Sequence, residues 1–272
     1  YENRVIIDTV NGVSGTAYPI GTRTMPVNNL QDALLILNSR GFLTIEIESN
    51  LTVSSGSNID NLIIISQDYE HELTIESGAS CVDTTFKTLS LNGVLSGDWN
   101  IFIDCWLYNV TNFCGWMQAG SFENIELAPF NTESNGQSYF DNIVPMYPEE
   151  YSVITMNTNT SISCTNINGY FSFNNLSEGS TIMAGISSGI IKLNNSCVGG
   201  YTEISGNGIL INNSTGVTVN AKSLFTDAAV WNALKNESGV SGSYGEYIKT
   251  LGGAGSNLVS VNATSITRSI GS

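Results

Sequence analysis

Carboxylates beside aromatic rings are the nearest approach to a chemical site in this sequence. In the segment MYPEEY, Glu149 and Glu150 stand between Tyr147 and Tyr151. Cleavage of a glycoside needs two carboxylates about 5–10 Å apart, one on either side of the scissile bond, and sequence does not fix that separation. We therefore predict a carbohydrate-contacting loop at Tyr147, Glu149, Glu150 and Tyr151, and we predict no catalytic residue.

Other acidic clusters are weaker candidates for carbohydrate chemistry. Asp68, Glu70 and Glu72 flank His71 in SQDYEHE, a segment typical of a solvated turn between two strands. The remaining carboxylates that we considered are Asp98, Asp104, Glu123 and Glu126. Their spacing in the sequence does not indicate a second carboxylate with which any of them could form a catalytic pair.

Motifs for a nucleophile, a metal or a cofactor are not predicted. His71 is the only histidine, which leaves little for a serine triad. The five cysteines form no CxxC pair and no EF-hand loop is present, so neither zinc nor calcium is expected. We predict that the cysteines are small buried hydrophobic residues.

The four tryptophans allow two interpretations. Their faces are suitable platforms for sugar rings, or they pack in the core or between subunits. We favour packing, because large aromatic rings dominate cores and interfaces. The residues concerned are Trp99, Trp106, Trp116 and Trp231.

Charge and hydropathy narrow the range of partners. The 272 residues include 9 basic and 24 acidic side chains, for a net charge of −15. Since proteins bind the phosphate backbone through Lys and Arg, we predict no nucleic-acid partner. No apolar run reaches the roughly 18 residues that would cross a bilayer, so we predict no membrane insertion. Hydrophobic residues make up 41% of the chain, which argues against disorder.

One helix is indicated by both its apolar spacing and its caps. Residues at i, i+3, i+4 and i+7 form a stripe: Leu30, Ala33, Leu34 and Leu37. Leu35 and Ile36 widen this stripe, which predicts more than one buried face. Asn28 or Asn29 is suited to the N-cap and Gly41 to the C-terminus. A lone apolar helix ahead of many strands predicts a cap over the open end of a stack.

The region from residue 44 to 221 predicts many short strands with polar turns, an all-β pattern. Segments such as TIEIE and ELTIE alternate, and Asn, Gly or Ser follows nearly every one. Two later segments, ISSGIIKLNNSCVGG and TEISGNGILINNSTG, resemble each other, and stacked Asn side chains can bond along such a repeat. Hairpin signals are scarce. We predict a right-handed parallel β-helix rather than a sandwich.

Three regions follow from this pattern. Residues 1–43 hold a strand, a loop and the capping helix, and residues 44–221 form the β-helix. Prolines and the acidic pair predict an irregular excursion near 128–160. Residues 222–272 predict a helix-turn segment with a Gly/Ser-rich tail.

Three segments resemble virion proteins of tailed bacteriophages. They are YPIGTRTMPVNNLQDALLILNSRG, the Cys- and Gly-bearing IFIDCWLYNVTNFCG with ISSGIIKLNNSCVGGYTEISGNG, and DAAVWNALKNESGVSGSYGEYIKTL. The resemblance implies a structural, non-enzymatic subunit of a tail fibre, spike or appendage, located in the virion after assembly in the host bacterial cytoplasm. It further implies a homotrimer that contacts other virion proteins and a host-surface glycan or receptor. Two alternatives stay open: a capsid decoration or head fibre, and a polysaccharide depolymerase.

Overall fold

The computed structural model describes residues 2–96, 99–129, 137–147 and 150–222, and the backbone of 225–226. Residues 1–224 form the first of two compact units. Most of the helix-turn segment expected in 222–272, including Trp231, therefore lies outside the described residues. No helix among the described residues is long and apolar enough to cross a membrane.

The described chain holds one helix and a long series of mostly short strands. In chain order they are β1 (Arg4–Ile7), α1 (Leu30–Arg40), β2 (Thr44–Ile47), β3 (Leu51–Val53), β4 (Ile63–Ile65), β5 (Glu72–Ile75), β6 (Thr85–Lys87), β7 (Ser90–Val94), β8 (Asn100–Phe113), β9 (Gly115–Phe122), β10 (Asn124–Leu127), β11 (Gln137–Pro145), β12 (Ser152–Thr155), β13 (Ser161–Asn174), β14 (Thr181–Leu193), β15 (Tyr201–Gly206), β16 (Ile209–Asn212), β17 (Thr218–Lys222) and β18 (Phe225–Thr226).

These strands form a parallel β-solenoid of about eight turns. Within residues 4–222, strands pair in parallel with their counterparts one coil away, as β1 does with β2 and β2 with β4. A second column runs beside the first through β3, β5 and β7. The longer strands β8, β13 and β14 contribute to both columns. The predicted all-β solenoid is confirmed.

The core is a set of ladders of inward-facing side chains. In the first column the paired inward residues are Val5, Ile45, Ile64, Phe86, Phe102, Met117, Phe140, Cys164, Ala184 and Ile204. All of them are buried. Phe102 stacks on Phe86 at 5.1 Å between ring centroids and on Phe113 at 5.0 Å. Because side chains alternate along a strand, the intervening residues must face outward.

The two similar segments lie one coil apart. Ile190 pairs with Ile209 and Lys192 with Ile211, which places GIIKLNN directly beside GILINNS. One coil earlier, the Asn174 side chain accepts a hydrogen bond from Asn194 Nδ2 at 2.5 Å. The expected hydrogen bonding between stacked asparagines is therefore present at this position.

The helix has the bounds and caps that its sequence predicts. The Asn29 side chain accepts from the Asp32 amide, and Gly41 takes the left-handed conformation with φ 69°. Leu30, Ala33, Ile36 and Leu37 are buried in the core, and the helix packs on β1. The expectation that Leu35 widens the buried face was wrong, because this side chain is 49% exposed.

A buried carboxylate ties the loop before the helix to the first coils. Glu46 Oε2 accepts from Arg4 Nη1 at 2.8 Å, and its Oε1 accepts from Arg23 Nη2 and Gln67 Nε2, both at 2.7 Å. Arg23 also pairs with Glu48 at 2.6 Å. Both oxygens of this buried group are therefore satisfied, as a carboxylate away from water requires.

Two further predictions concern the cysteines and the range 128–160. All five cysteines are buried and unpaired, as expected. The range predicted as an excursion contains β11 and β12, and β11 pairs with β9 and β13 over its described length. Residues 130–136 and 148–149 lie outside the described residues.

Candidate functional site

Three of the four residues of the carbohydrate-contacting loop predicted from sequence are described: Tyr147, Glu150 and Tyr151. The exposed Glu150 donates its amide to the Tyr147 carbonyl at 3.1 Å, so these two share a turn. The ring of the adjacent Tyr151 lies 5.7 Å from that of Tyr170, and Lys192 Nζ lies 5.5 Å from its centroid. Glu149 lies outside the described residues, so the carbohydrate-contacting role of this loop stays a prediction.

A groove on the outer face of the first column is a better candidate. Its volume is about 760 Å³. We call it the aromatic groove and define it by its lining residues: Asp83, Trp99, Asn100, Ile101, Trp116, Tyr139, Phe140, Asp141, Ser163 and Thr165. These residues come from five successive coils, and their separation in the sequence conceals their proximity.

The strand register places the outer rings of the groove side by side. Ile101, Trp116, Tyr139 and Ser163 are paired in this order on β8, β9, β11 and β13. Neighbouring backbones in such a ladder lie about 4.8 Å apart. Trp116 is 45% exposed and Tyr139 40% exposed, so both rings face solvent. The Tyr139 hydroxyl donates to Gln137 Oε1 at 2.9 Å, which restrains the ring.

Trp99 enters the groove from a strained backbone position. In the two preceding coils the equivalent residues are Asn61 and Asp83, two places before Ile63 and Thr85, and both have positive φ. Asn and Asp adopt this left-handed conformation readily. Trp99 has φ 62° and is 54% exposed. A bulky residue there costs on the order of 1–3 kcal/mol, and such strain is concentrated at functional sites.

Two carboxylates lie at opposite ends of the groove. Asp141 Oδ1 accepts from the Thr165 hydroxyl at 2.6 Å, and its Oδ2 accepts from Asn142 Nδ2 at 3.0 Å. Asp83 is exposed, and its side chain has no polar partner among the described residues. Asp141 is therefore held in place, whereas Asp83 is open to a ligand.

These carboxylates are badly placed for glycoside cleavage. The register sets Asp83 and Asp141 three coils apart along the axis and four residues apart along the strands. At standard strand dimensions this separates their Cα atoms by on the order of 15–20 Å. Paired catalytic carboxylates lie about 5–10 Å apart. The arrangement is suited to holding a sugar chain and unsuited to cutting one in this way.

A second exposed tryptophan lies outside the groove. Trp106 stacks on Tyr69 with 4.5 Å between centroids and 6° between planes. Burial, together with the hydrogen bond and charge of Asp104, raises the pKa of Tyr69 to about 12. The Trp106 ring is thus covered on one face by a neutral tyrosine, in contrast to Trp99 and Trp116. Trp99, Trp106 and Trp116 are exposed in the single chain, so packing in its core was wrong for these three, and packing between subunits stays a prediction.

Serine chemistry has no support in the geometry of the described residues. The segment GISSG, at residues 185–189, matches the spacing of a nucleophile elbow. It lies within β14 and not at a turn between a strand and a helix. The serine at the nucleophile position of this spacing is Ser187, which is exposed on the strand.

Comparison with known proteins assigns no relationship. No protein-family model, no curated protein and no solved structure matches this chain significantly.

Proposed function

We propose that this chain is a structural, non-enzymatic subunit of a tailed-bacteriophage virion that attaches to host-surface glycan through the aromatic groove. The observation that carries the binding role is the exposure of Trp99, Trp116 and Tyr139 along a groove with carboxylates at its ends. Apolar ring faces with a few polar groups are the usual composition of a small-molecule site.

The virion setting is supported by the three sequence segments that resemble phage proteins. The fold is compatible with it, because a solenoid pairs its backbone groups along the axis and resists unfolding as a long rod. Within this proposal the chain is a subunit of a tail fibre, spike or appendage. Attachment to a capsid as a decoration or head fibre is the alternative, and labelling of intact virions would distinguish the two positions.

A binding role is preferred to a depolymerase because of the carboxylate separation. The strain at Trp99 also favours binding, since a costly conformation is retained where a ring must face a ligand. Hydrolysis of the bound glycan is the outcome that would favour the enzyme instead.

Two structural features belong to the same proposal. We assign helix α1 as a cap on the first coil of a right-handed solenoid, because four of its apolar residues are buried and the helix packs on β1. We also propose a homotrimer. Large apolar side chains such as Val144 and Val198 are exposed in the single chain, and association would cover them.

Binding and assembly are tested together on the purified chain. On an array of bacterial surface polysaccharides we expect binding to at least one glycan whose length is unchanged after prolonged incubation. Native mass spectrometry should give the mass of three chains. Shortening of the glycan would replace the binding role with a depolymerase, and failure to bind any glycan would refute the role of the groove. A stable monomer would refute the trimer.

A further inference from the structure

The lining of the aromatic groove is negatively charged. Its lining residues include the carboxylates of Asp83 and Asp141 and no Lys, Arg or His. The other polar groups of the lining are uncharged: Asn, Ser and Thr side chains, the Tyr139 hydroxyl and the indole N–H groups. An anionic ligand in this groove would therefore meet two negative charges and no compensating cation.

Basic residues in the described part of the chain lie elsewhere, several of them in polar or ring contacts. Arg4 and Arg23 pair with Glu46, and Lys222 pairs with Glu203 at 2.7 Å. Lys192 lies over the Tyr151 ring, on the second column. None of these four is available to a ligand in the groove without giving up a contact.

Lys87 is the basic residue nearest to the groove in the strand register. Lys87 is paired with Ile103, Ile103 with Gln118, and Gln118 with Asp141, so Lys87 lies three coils from Asp141. Three coils separate the backbones of Lys87 and Asp141 by about 14 Å. Lys87 also follows Asp83 by four residues along the chain. At such distances, beyond a Debye length in physiological salt, its charge offsets the groove carboxylates only weakly.

The rings of the groove favour the opposite sign. The faces of Trp and Tyr carry negative electrostatic potential and attract cations such as ammonium groups. Trp99 and Trp116 expose their rings between the two carboxylates, so a positive group on a sugar would find a ring and a carboxylate together. A neutral sugar carries no charge for the two carboxylates to repel, so they would not reduce its affinity for the groove.

We infer that the aromatic groove selects neutral and amine-bearing saccharides and rejects anionic ones. This inference rests on the proposed glycan-binding function and adds the class of glycan. The selection comes from Asp83 and Asp141, whereas the affinity common to all ligands comes from the rings.

Three soluble probes of similar length test the selection: cellohexaose, fully deacetylated chitosan hexamer and hexagalacturonate. Calorimetry at about pH 5.5 keeps the amines protonated, well below the range in which they lose charge. At physiological salt, where the charge of Lys87 is screened, we expect the chitosan probe to bind more tightly than the galacturonate probe by about 3- to 20-fold, as expected for two exposed charge contacts. The difference should shrink as the salt concentration is raised toward about 1 M.

A charge-neutral variant assigns the effect to the groove. In Asp83→Asn/Asp141→Asn we expect the ratio of the dissociation constants for the galacturonate and chitosan probes to fall to about one. The matched control is Glu126→Gln/Glu178→Gln, which removes the same charge from two exposed sites outside the groove lining. This control should retain the preference.

Each result decides a different claim. Equal binding of all three probes, or an equal loss of preference in both variants, would overturn the charge selection and leave glycan binding intact. Tighter binding of galacturonate would also overturn it. Binding of none of the three would overturn the selection as well, and the polysaccharide array would then decide the proposed function separately.

Discussion

Trp116 and Tyr139 are paired residues on adjacent parallel strands, and both present their rings to solvent. One residue further along each strand, Met117 and Phe140 are paired in the buried core. Because successive side chains of a strand point to opposite faces, burial of Met117 and Phe140 in the core places the rings of Trp116 and Tyr139 on the outer face. The rigid core of the solenoid therefore positions these two rings, whereas Asp83 and Trp99 lie just before β6 and β8.

The close approach of coils predicts that Gly189 is intolerant of a side chain. A Cβ at this position would lie 2.0 Å from the Gly169 carbonyl oxygen, and φ is +117°. We expect Gly189→Ala to lower the free energy of unfolding by about 2–4 kcal/mol through this clash and backbone strain. Gly56→Ala is the control, because φ is +80° and nothing lies within 4 Å of the added Cβ. Urea unfolding of both variants makes the comparison, and equal losses would contradict the packing of these coils.

Two leucines of helix α1 should differ in how much their substitution by Asp destabilises the fold. Leu37 is 2% exposed in the core, whereas Leu35 is 49% exposed. Leu37→Asp buries a charge and should cost several kcal/mol, and Leu35→Asp should change stability by less than about 0.5 kcal/mol. Hydrogen exchange should show that the loss of protection in Leu37→Asp begins at β1 and β2. Unchanged protection there would refute the capping role of the helix.

The Glu46 cluster predicts acid sensitivity of the N-terminal coils. Burial alone would raise the pKa of Glu46, but hydrogen bonds from Gln67 and Arg23, with the charges of Arg23 and Arg4, lower it overall. A folded-state pKa below the unfolded value gives stability that is present above the unfolded pKa and is lost as the pH falls through the folded pKa.

The matching variant is Glu46→Gln, which removes the charge from Arg4 and Arg23. Because both arginines are partly exposed, we expect a cost of about 1–3 kcal/mol at neutral pH. Melting temperatures from pH 7 down to about pH 2 should converge between variant and parent as Glu46 protonates in the parent. A constant difference across this range would show that the stabilisation does not depend on the ionised carboxylate.

The solenoid and its helix could be predicted from sequence because their signals are local. Alternation with Asn, Gly and Ser breaks predicts short strands, and the spacing of Leu30, Ala33 and Leu37 predicts the helix. The turn at SQDYEHE is also in place between β4 and β5, with Asp68 exposed. Such features depend on residues within one turn or one strand of each other.

The candidate site could not be predicted in the same way because it depends on register. Asp83 and Asp141 share a groove only because three strand pairings stack their coils, and no spacing in the sequence reveals those pairings. Tyr147 and Tyr151 show the converse: they are close in the sequence, yet the ring of Tyr151 packs beside Tyr170 on the next coil. The signal that could have indicated the site is at Trp99. The equivalent positions in the two preceding coils hold Asn61 and Asp83, which adopt the left-handed conformation more readily than a tryptophan.

The most direct test of the glycan-binding role compares two tryptophans. Trp116 lines the aromatic groove, whereas Trp106 is similarly exposed but stacks on Tyr69 outside it. Calorimetry with the tightest-binding glycan of the array should give a dissociation constant at least about 10-fold weaker for Trp116→Ala, a loss of about 1.4 kcal/mol. The value for Trp106→Ala should match the parent, and circular dichroism should show both variants folded. Equal affinity in Trp116→Ala and the parent, or an equal loss in both variants, would contradict the assignment of this groove as the glycan site.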